Sequence, residues 1–179
     1  MKKKIVFVTG GARSGKSSFA MSEALKLKGR KAYIASAEAL DGEMKERIKK
    51  HRKDRGDGWD TYEEPIRISE VLKKIEGQYS VILLDCLTLW LSNLMMNNKG
   101  IEKEIKLLCS ALHAAPCTLF VVSNEVGMGI VPENEMARRF RDMAGALNQK
   151  VAEAADEVYI VVAGIPVKIK QKNRRGHKK

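Results

Sequence analysis

The sequence predicts a single α/β domain with a mostly parallel sheet and helices on both faces. Three observations predict it. Apolar runs of strand length at residues 5–8, 31–35, 81–85, 117–122 and 157–163 alternate with segments of helical periodicity. The run at 81–84 is continuously apolar, as a strand covered on both faces must be, and 117–122 reads as the next buried strand. The first run leads directly into a glycine-rich turn and a helix. A length of 179 residues allows one domain with a sizeable core, and 44% apolar with 31% charged residues fits a soluble globular chain.

The turn after the first strand is Gly10-Gly11-Ala12-Arg13-Ser14-Gly15-Lys16-Ser17, which has the G-x-x-x-x-G-K-[ST] spacing of a P-loop between strand and helix. Gly10 and Gly15 permit backbone conformations closed to other residues. Successive N–H groups then face one concavity that suits phosphate oxygens, and the following helix adds its positive end. Lys16 is expected to reach the outer phosphates and the Ser17 hydroxyl to hold Mg²⁺.

The helix after the P-loop is expected over residues 18–28, closed by Gly29. The strand 31–35 ends at Ser36-Ala37-Glu38, at the sheet edge where ligands gather. Asp41 is a candidate cap for the next helix, on which Met44, Ile48 and His51 share a face. That helix should end in the turn-rich residues 55–58. Residues 59–65 read as extended, because Pro65 disfavours helix before it. A short helix follows, with Ile68, Val71, Leu72 and Ile75 inward.

Asp85 closes the apolar run 81–84, a Walker-B-type position for a Mg²⁺ ligand. Residues 87–96 are apolar but too few to cross a membrane, so they form a buried helix or an interface. Ile101, Ile105, Leu108 and Leu112 mark an amphipathic helix. The strand 117–122 runs into a loop with two glycines, 123–132. From Glu133 the longest helix carries Met136, Phe140, Met143, Leu147, Val151 and Ala154 on one stripe. After the strand 157–163, residues 167–169 suggest a short edge strand.

The formal charge of +11 invites a nucleic-acid reading. Residues 168–179 hold seven of the positive charges and no acid, however, which reads as a solvated tail outside the motifs and argues against nucleic acid as partner. The expected organisation is a domain over 1–170 and a basic tail over 171–179. Cys86, Cys109 and Cys117 lack metal-binding spacing and read as small core residues of a reducing compartment. The N-terminal apolar run is too short for a signal peptide, so the expected location is the cytoplasm.

Of three histidines, His177 lies in the tail and His113 ends an ordinary amphipathic helix. His51 lies among Lys49, Lys50, Arg52, Lys53 and Arg55. Neighbouring cations favour a neutral ring able to act as base, ligand or nucleophile, whereas a helix C-terminus favours the protonated form. The residues alone leave its role open.

Several motifs together resemble the bifunctional adenosylcobinamide kinase / adenosylcobinamide-phosphate guanylyltransferase family. They are the P-loop, Asp41-x-Glu43-Met44-x-x-Arg47-Ile48-x-x-His51-x-x-x-Arg55, Trp59-x-Thr61-x-Glu63, Leu84-Asp85-Cys86-Leu87-Thr88 and the stretch 123–134. The likeness continues through Arg139-Phe140-Arg141-Asp142, Leu147-Asn148-Gln149 and Gly164-Ile165-Pro166 up to Lys170. It implies a RecA-like P-loop fold and a homotrimer. It also implies two reactions: phosphorylation of adenosylcobinamide by ATP or GTP, then transfer of GMP from GTP to adenosylcobinamide phosphate through a GMP–histidine on His51. By the same resemblance Gly10 to Ser17, Ser36, Ala37, Glu38, Arg52, Lys53, Asp54, Arg55, Glu63 and Asp85 line the nucleotide site. Some family members have Glu at the position of Asp85, and a carboxylate there could accept from the guanine N–H groups instead of holding Mg²⁺. Ser36 stands where the family often has Thr.

Two other readings compete. A monofunctional small-molecule P-loop kinase predicts phosphorylation without labelled protein. A nucleic-acid-stimulated ATPase predicts turnover that depends on residues 171–179.

Overall fold

The strands and helices alternate as β1 (Lys4–Thr9), α1 (Lys16–Leu25), β2 (Lys31–Ala35), α2 (Gly42–Arg55), β3 (Asp60–Glu63), α3 (Ile68–Lys74) and β4 (Val81–Asp85). They continue as α4 (Leu87–Met96), α5 (Ile101–Ala114), β5 (Thr118–Val122), α6 (Glu135–Ala154), β6 (Glu157–Val162) and β7 (Ile165–Gln171). This computed structural model describes residues 3–38, 42–97 and 100–172, and only the backbone at Glu43, Met44, Arg47, Lys50, His51 and Asp54. Asp41, the expected cap of α2, and residues 173–179 of the tail lie outside the described residues.

The strands form one sheet in the order β3-β2-β4-β5-β1-β6-β7. Every pairing is parallel except β6 with β7. β5 is therefore inserted between the P-loop strand β1 and the strand that ends in Asp85. Alternation along the strands divides the core into two layers. Ile5, Phe7, Ile34, Ile82, Leu84, Leu119 and Val121 pack under α3, α4, α5 and α6. Val6, Val8, Tyr33, Leu83, Phe120 and Val122 face Ala20 and Ala24 of α1 and the Trp59 ring.

Several boundaries differ from those expected. α1 begins at Lys16, because Gly15 takes the left-handed conformation (φ 96°) that lets the chain turn straight into the helix. It ends at Leu25, three residues early, and the chain then turns at Gly29 (φ 97°). α6 starts at Glu135 because Asn134 caps it, its side chain accepting from the Ala137 N–H at 2.7 Å. Met136, expected in the buried stripe, is exposed, since the first turn of α6 extends beyond the core. Val71, expected inward, is only partly buried.

Helix α4 is a core element: Leu87, Trp90, Leu91 and Leu94 are fully buried, and the Trp90 indole donates to the Ile66 carbonyl at 2.7 Å. β7 is longer than the expected 167–169 and continues past the boundary set at Lys170. Pro166 is tolerated because β7 is an edge strand. Lys168, Lys170 and Lys172 belong to this structure rather than to a solvated tail. Lys168 pairs with Glu157 at 3.4 Å. Lys170 donates to the carbonyls of Ala152 and Glu153, and Lys172 to that of Ala154, at the C-terminal end of α6.

Candidate functional site

The expected site residues gather at one edge of the sheet because parallel strands all end there. Register aligns Val8, Val122, Asp85, Ala35 and Glu63 in one row across five strands. At roughly 4.8 Å per strand, Asp85 lies about 10 Å and Glu63 about 19 Å from the end of β1. The turns after β1, β2, β3, β4 and β5 thus share one rim.

The P-loop occupies the β1 end of this rim. Gly10 (φ 143°) and Gly15 (φ 96°) adopt the conformations expected of glycine, and Arg13 (φ 57°) is left-handed as well. A Cβ on Gly10 would meet the Val161 carbonyl oxygen at 2.3 Å, so only glycine fits between the loop and β6. Neighbouring segments clamp the loop on both sides. Glu125 N–H donates to Gly10 O and Gly164 N–H to Ser14 O, each at 2.9 Å. Gly11, Ala12 and Arg13 are exposed, and Ser17 is half-buried in the first turn of α1. Lys16 is 5% exposed and its Nζ donates to Gly11 O at 2.5 Å, so it lies back across the loop it closes. Thr9 Oγ1 and Ser14 Oγ are buried without a hydrogen-bond partner among the described residues. Such orphans cost about 1–3 kcal/mol unless something meets them. The Ser17 hydroxyl and, farther along the rim, the Asp85 carboxylate add oxygen donors of the kind that suit phosphate and a hard cation.

At the β2 and β4 ends the structure separates residues that the sequence had grouped. Ser36 is fully buried and its hydroxyl points inward. Its Oγ donates to Cys86 O at 2.7 Å and accepts from Cys86 N–H at 2.8 Å, clasping β2 to β4. Ala37 is half-buried and Glu38 exposed beyond this clasp. The Asp85 carboxylate is half-buried, and its Oδ2 accepts from the Tyr33 hydroxyl at 2.7 Å. Asp85 also helps to push the Cys86 thiol, already raised by burial, up to about 11.

Helix α2 brings His51 to the same rim by its backbone; the His51 and Asp54 side chains lie outside the described residues. The last turn of α2 is anchored twice. Arg52 Nε donates to Glu63 Oε1 at 3.0 Å, and a second guanidinium nitrogen makes an ion pair with the same oxygen. Arg55, expected at the cationic end of this helix and in the nucleotide site, is buried at 7% exposure with its guanidinium 4.0 Å from the centre of the Tyr33 ring. Cation–π attraction replaces the water it loses. Lys53 is exposed.

The sequence reading gave Tyr33 no role, and Thr88 entered it only within the motif Leu84-Asp85-Cys86-Leu87-Thr88. Thr88 Oγ1 accepts from Asn124 N–H at 2.6 Å and lies 3.2 Å from Ser123 Oγ, while Asn148 Nδ2 donates to Asn124 O at 3.1 Å. These bonds hold the loop after β5 beside the P-loop. The available signal for Tyr33 was its position two residues before the end of β2. Register places it opposite Leu83, on the sheet face shared by Asp85 and diagonal to it.

Among solved structures, the chain resembles the flagellar accessory protein FlaH of Methanocaldococcus jannaschii (TM-score 0.54, 11% identity, 96% of this chain and 80% of that one). It also resembles a KaiC-like protein of Pyrococcus horikoshii (TM-score 0.51, 12% identity, 89% and 71% covered). These likenesses establish the RecA-like P-loop fold. Sequence similarity goes further. The chain is 42% identical over 182 residues to the bifunctional adenosylcobalamin biosynthesis protein CobU of Escherichia coli, covering 93% of this chain and 99% of that one. It is 42% identical over 184 residues to CobU of Salmonella typhimurium, with the same coverage. Against the bifunctional protein CobP of Pseudomonas aeruginosa it is 41% identical over 165 residues, covering 91% and 95%. The model of one family, cobinamide kinase / cobinamide phosphate guanyltransferase, matches residues 6–169. The chain belongs to the cobinamide kinase / cobinamide phosphate guanyltransferase family.

Proposed function

We propose that this protein carries out both transfers at the rim formed by the P-loop, α2 and the end of β4. In the first, the hydroxyl of the aminopropanol arm of adenosylcobinamide attacks the γ-phosphorus of ATP or GTP; the nucleoside diphosphate leaves and the hydroxyl proton is lost. In the second, a ring nitrogen of His51 attacks the α-phosphorus of GTP and pyrophosphate leaves. A phosphate oxygen of adenosylcobinamide phosphate then attacks that phosphorus, giving adenosylcobinamide-GDP and returning His51. Splitting the exchange in two lets one anchored group receive and pass on GMP.

One observation carries this reading. The family match spans the P-loop and α2 together, and Arg52–Glu63 and Arg55–Tyr33 tie the His51-bearing turn to the rim that holds the P-loop. Gly10 to Ser17 receive the phosphates, with Lys16 swinging from Gly11 O to the outer oxygens. Ala37, Glu38, Arg52, Lys53, Asp54, Arg55, Glu63 and Asp85 line the remainder, and Ser36 acts through its clasp. Mg²⁺, held by Ser17 and Asp85, would neutralise charge on the phosphates.

The same reading includes a homotrimer in the cytoplasm. Free Cys86, Cys109 and Cys117 suit a reducing compartment, and no helix among the described residues is long and apolar enough to cross a membrane. Exposed Met128 (79%), Ile130 (96%) and Val131 supply apolar surface for subunit contact.

The test is incubation of the protein and Mg²⁺ with α-³²P-labelled GTP, beside His51→Ala and labelled ATP. Acid-labile, alkali-stable label on the wild type from GTP alone is expected. Phosphorylated adenosylcobinamide without labelled protein would leave a plain kinase. Neither product would return the basic tail and a nucleic-acid partner to consideration.

A further inference from the structure

Tyr33 stands between the two charged parts of the rim. It is buried in β2, with the Trp59 ring edge-on at 6.0 Å and 89°. One side chain meets both Arg55 of α2, at 4.0 Å from its ring, and Asp85 of β4, at 2.7 Å from its hydroxyl. Packing alone would be served as well by phenylalanine. What the hydroxyl adds is its bond to Asp85. We propose that Tyr33 is a positioning residue for nucleotide binding: its hydroxyl orients the Asp85 carboxylate while its ring seats Arg55 and the last turn of the His51 helix. This rests on the reading above in taking Asp85 to meet the nucleotide.

The physical case is as follows. A carboxylate at the end of a strand rotates among several orientations, and a bond to Oδ2 selects one and leaves Oδ1 for a ligand. The donor is fixed in place, because Tyr33 is 3% exposed and its hydroxyl lies 2.7 Å from Asp85 Oδ2. The ring face is occupied by a guanidinium that is itself buried, and cation–π contacts are strongest when desolvated. Moving α2 therefore disturbs Tyr33, and moving Tyr33 disturbs Asp85.

A double-mutant cycle tests this. Equilibrium binding of GTP with Mg²⁺ is measured for wild type, Tyr33→Phe, Asp85→Ala and the double variant, each checked by thermal melting. If Asp85→Ala does not fold, Asp85→Ser replaces it. Tyr33→Phe should weaken binding about tenfold in the wild-type background and less than about twofold when Asp85 is already gone. An equal loss in both backgrounds, or none in either, overturns the proposal. GTP binding that Asp85→Ala leaves unaltered overturns it too, by removing Asp85 from the nucleotide site.

A second measurement reads the ring. At saturating GTP, Tyr33→Leu should self-label about tenfold more slowly than Tyr33→Phe, because only the former loses the seat of Arg55. Equal rates overturn the ring's part. A wild type that binds GTP but takes no label defeats the transfer reading, while the binding cycle still decides the role of the hydroxyl.

Discussion

Arg52 and Glu63 join the last turn of α2 to the end of β3, with Nε 3.0 Å from Oε1. Both side chains are largely exposed, at 58% and 46%. Such a pair contributes about 0–1 kcal/mol, so its consequence is placement of the helix rather than stability. Glu63→Ala should shift the melting temperature by no more than about 4 °C. Self-labelling by GTP should fall about tenfold, because misplacing a reacting group is costly. Melting curves and labelling time courses on one preparation check both, and a large loss of stability with normal labelling would refute the assignment.

Gly10 and Gly11 are adjacent but face different surroundings. A Cβ at Gly10 would sit 2.3 Å from Val161 O on a backbone at φ 143°, whereas nothing lies within 4 Å of one at Gly11. Gly10→Ala should cost about 2–4 kcal/mol, and Gly11→Ala should stay within about 0.5 kcal/mol of the wild type. Urea unfolding midpoints of the two variants provide the comparison.

Cys86 gives a pH dependence. Its thiol pKa is raised from 9.0 to about 11, first by burial and then by the Asp85 charge. Since folding favours the protonated thiol, its contribution is complete below pH 9 and is lost as pH rises through about 11. Cys86→Ala should therefore flatten the alkaline fall in stability between those limits. At pH 8 a maleimide should modify Cys86 in urea but not in the folded protein.

Lys170 caps the end of α6 with bonds of 2.6 and 3.0 Å to two carbonyls. Lys170→Ala should destabilise by about 1 kcal/mol, read from the urea midpoint. Deleting residues 173–179 should leave self-labelling unchanged, and ATP turnover should not respond to RNA. A deletion that abolishes turnover would favour the nucleic-acid reading.

Ile130 is 96% exposed in the loop after β5. If this surface joins subunits in the proposed trimer, Ile130→Glu should yield a smaller species than the wild type in sedimentation velocity, while GTP binding persists. An unchanged sedimentation coefficient would remove the loop from the interface.

The strands and the P-loop were legible because each is written locally. Continuous apolarity announced β4, and the glycine spacing announced the turn after β1. The fates of Ser36 and Arg55 were not legible. Nothing near Ser36 in the chain shows that Cys86 will take both its donor and its acceptor capacity. Nothing near Arg55 in the run of cations distinguishes it from exposed Lys53, because the aromatic face that buries it comes from β2.

The sequence by itself determined the alternation of strands and helices, the P-loop, the amphipathic faces and the motifs that place the chain in its family. These depend on spacing within one segment, where backbone geometry dictates which side chains share a face. Tertiary structure decided the order of the strands, the insertion of β5 between β1 and β4, and the junction of Arg55, Tyr33 and Asp85. It also turned Lys170 and Lys172 from apparent tail residues into caps of α6. The reason is physical: partners across a sheet are chosen by register and strand order, which bring together groups far apart in the chain, 151 residues in the Ile5–Asp156 bond. Such pairings are set by burial of the whole core, not by the residues on either side of each partner.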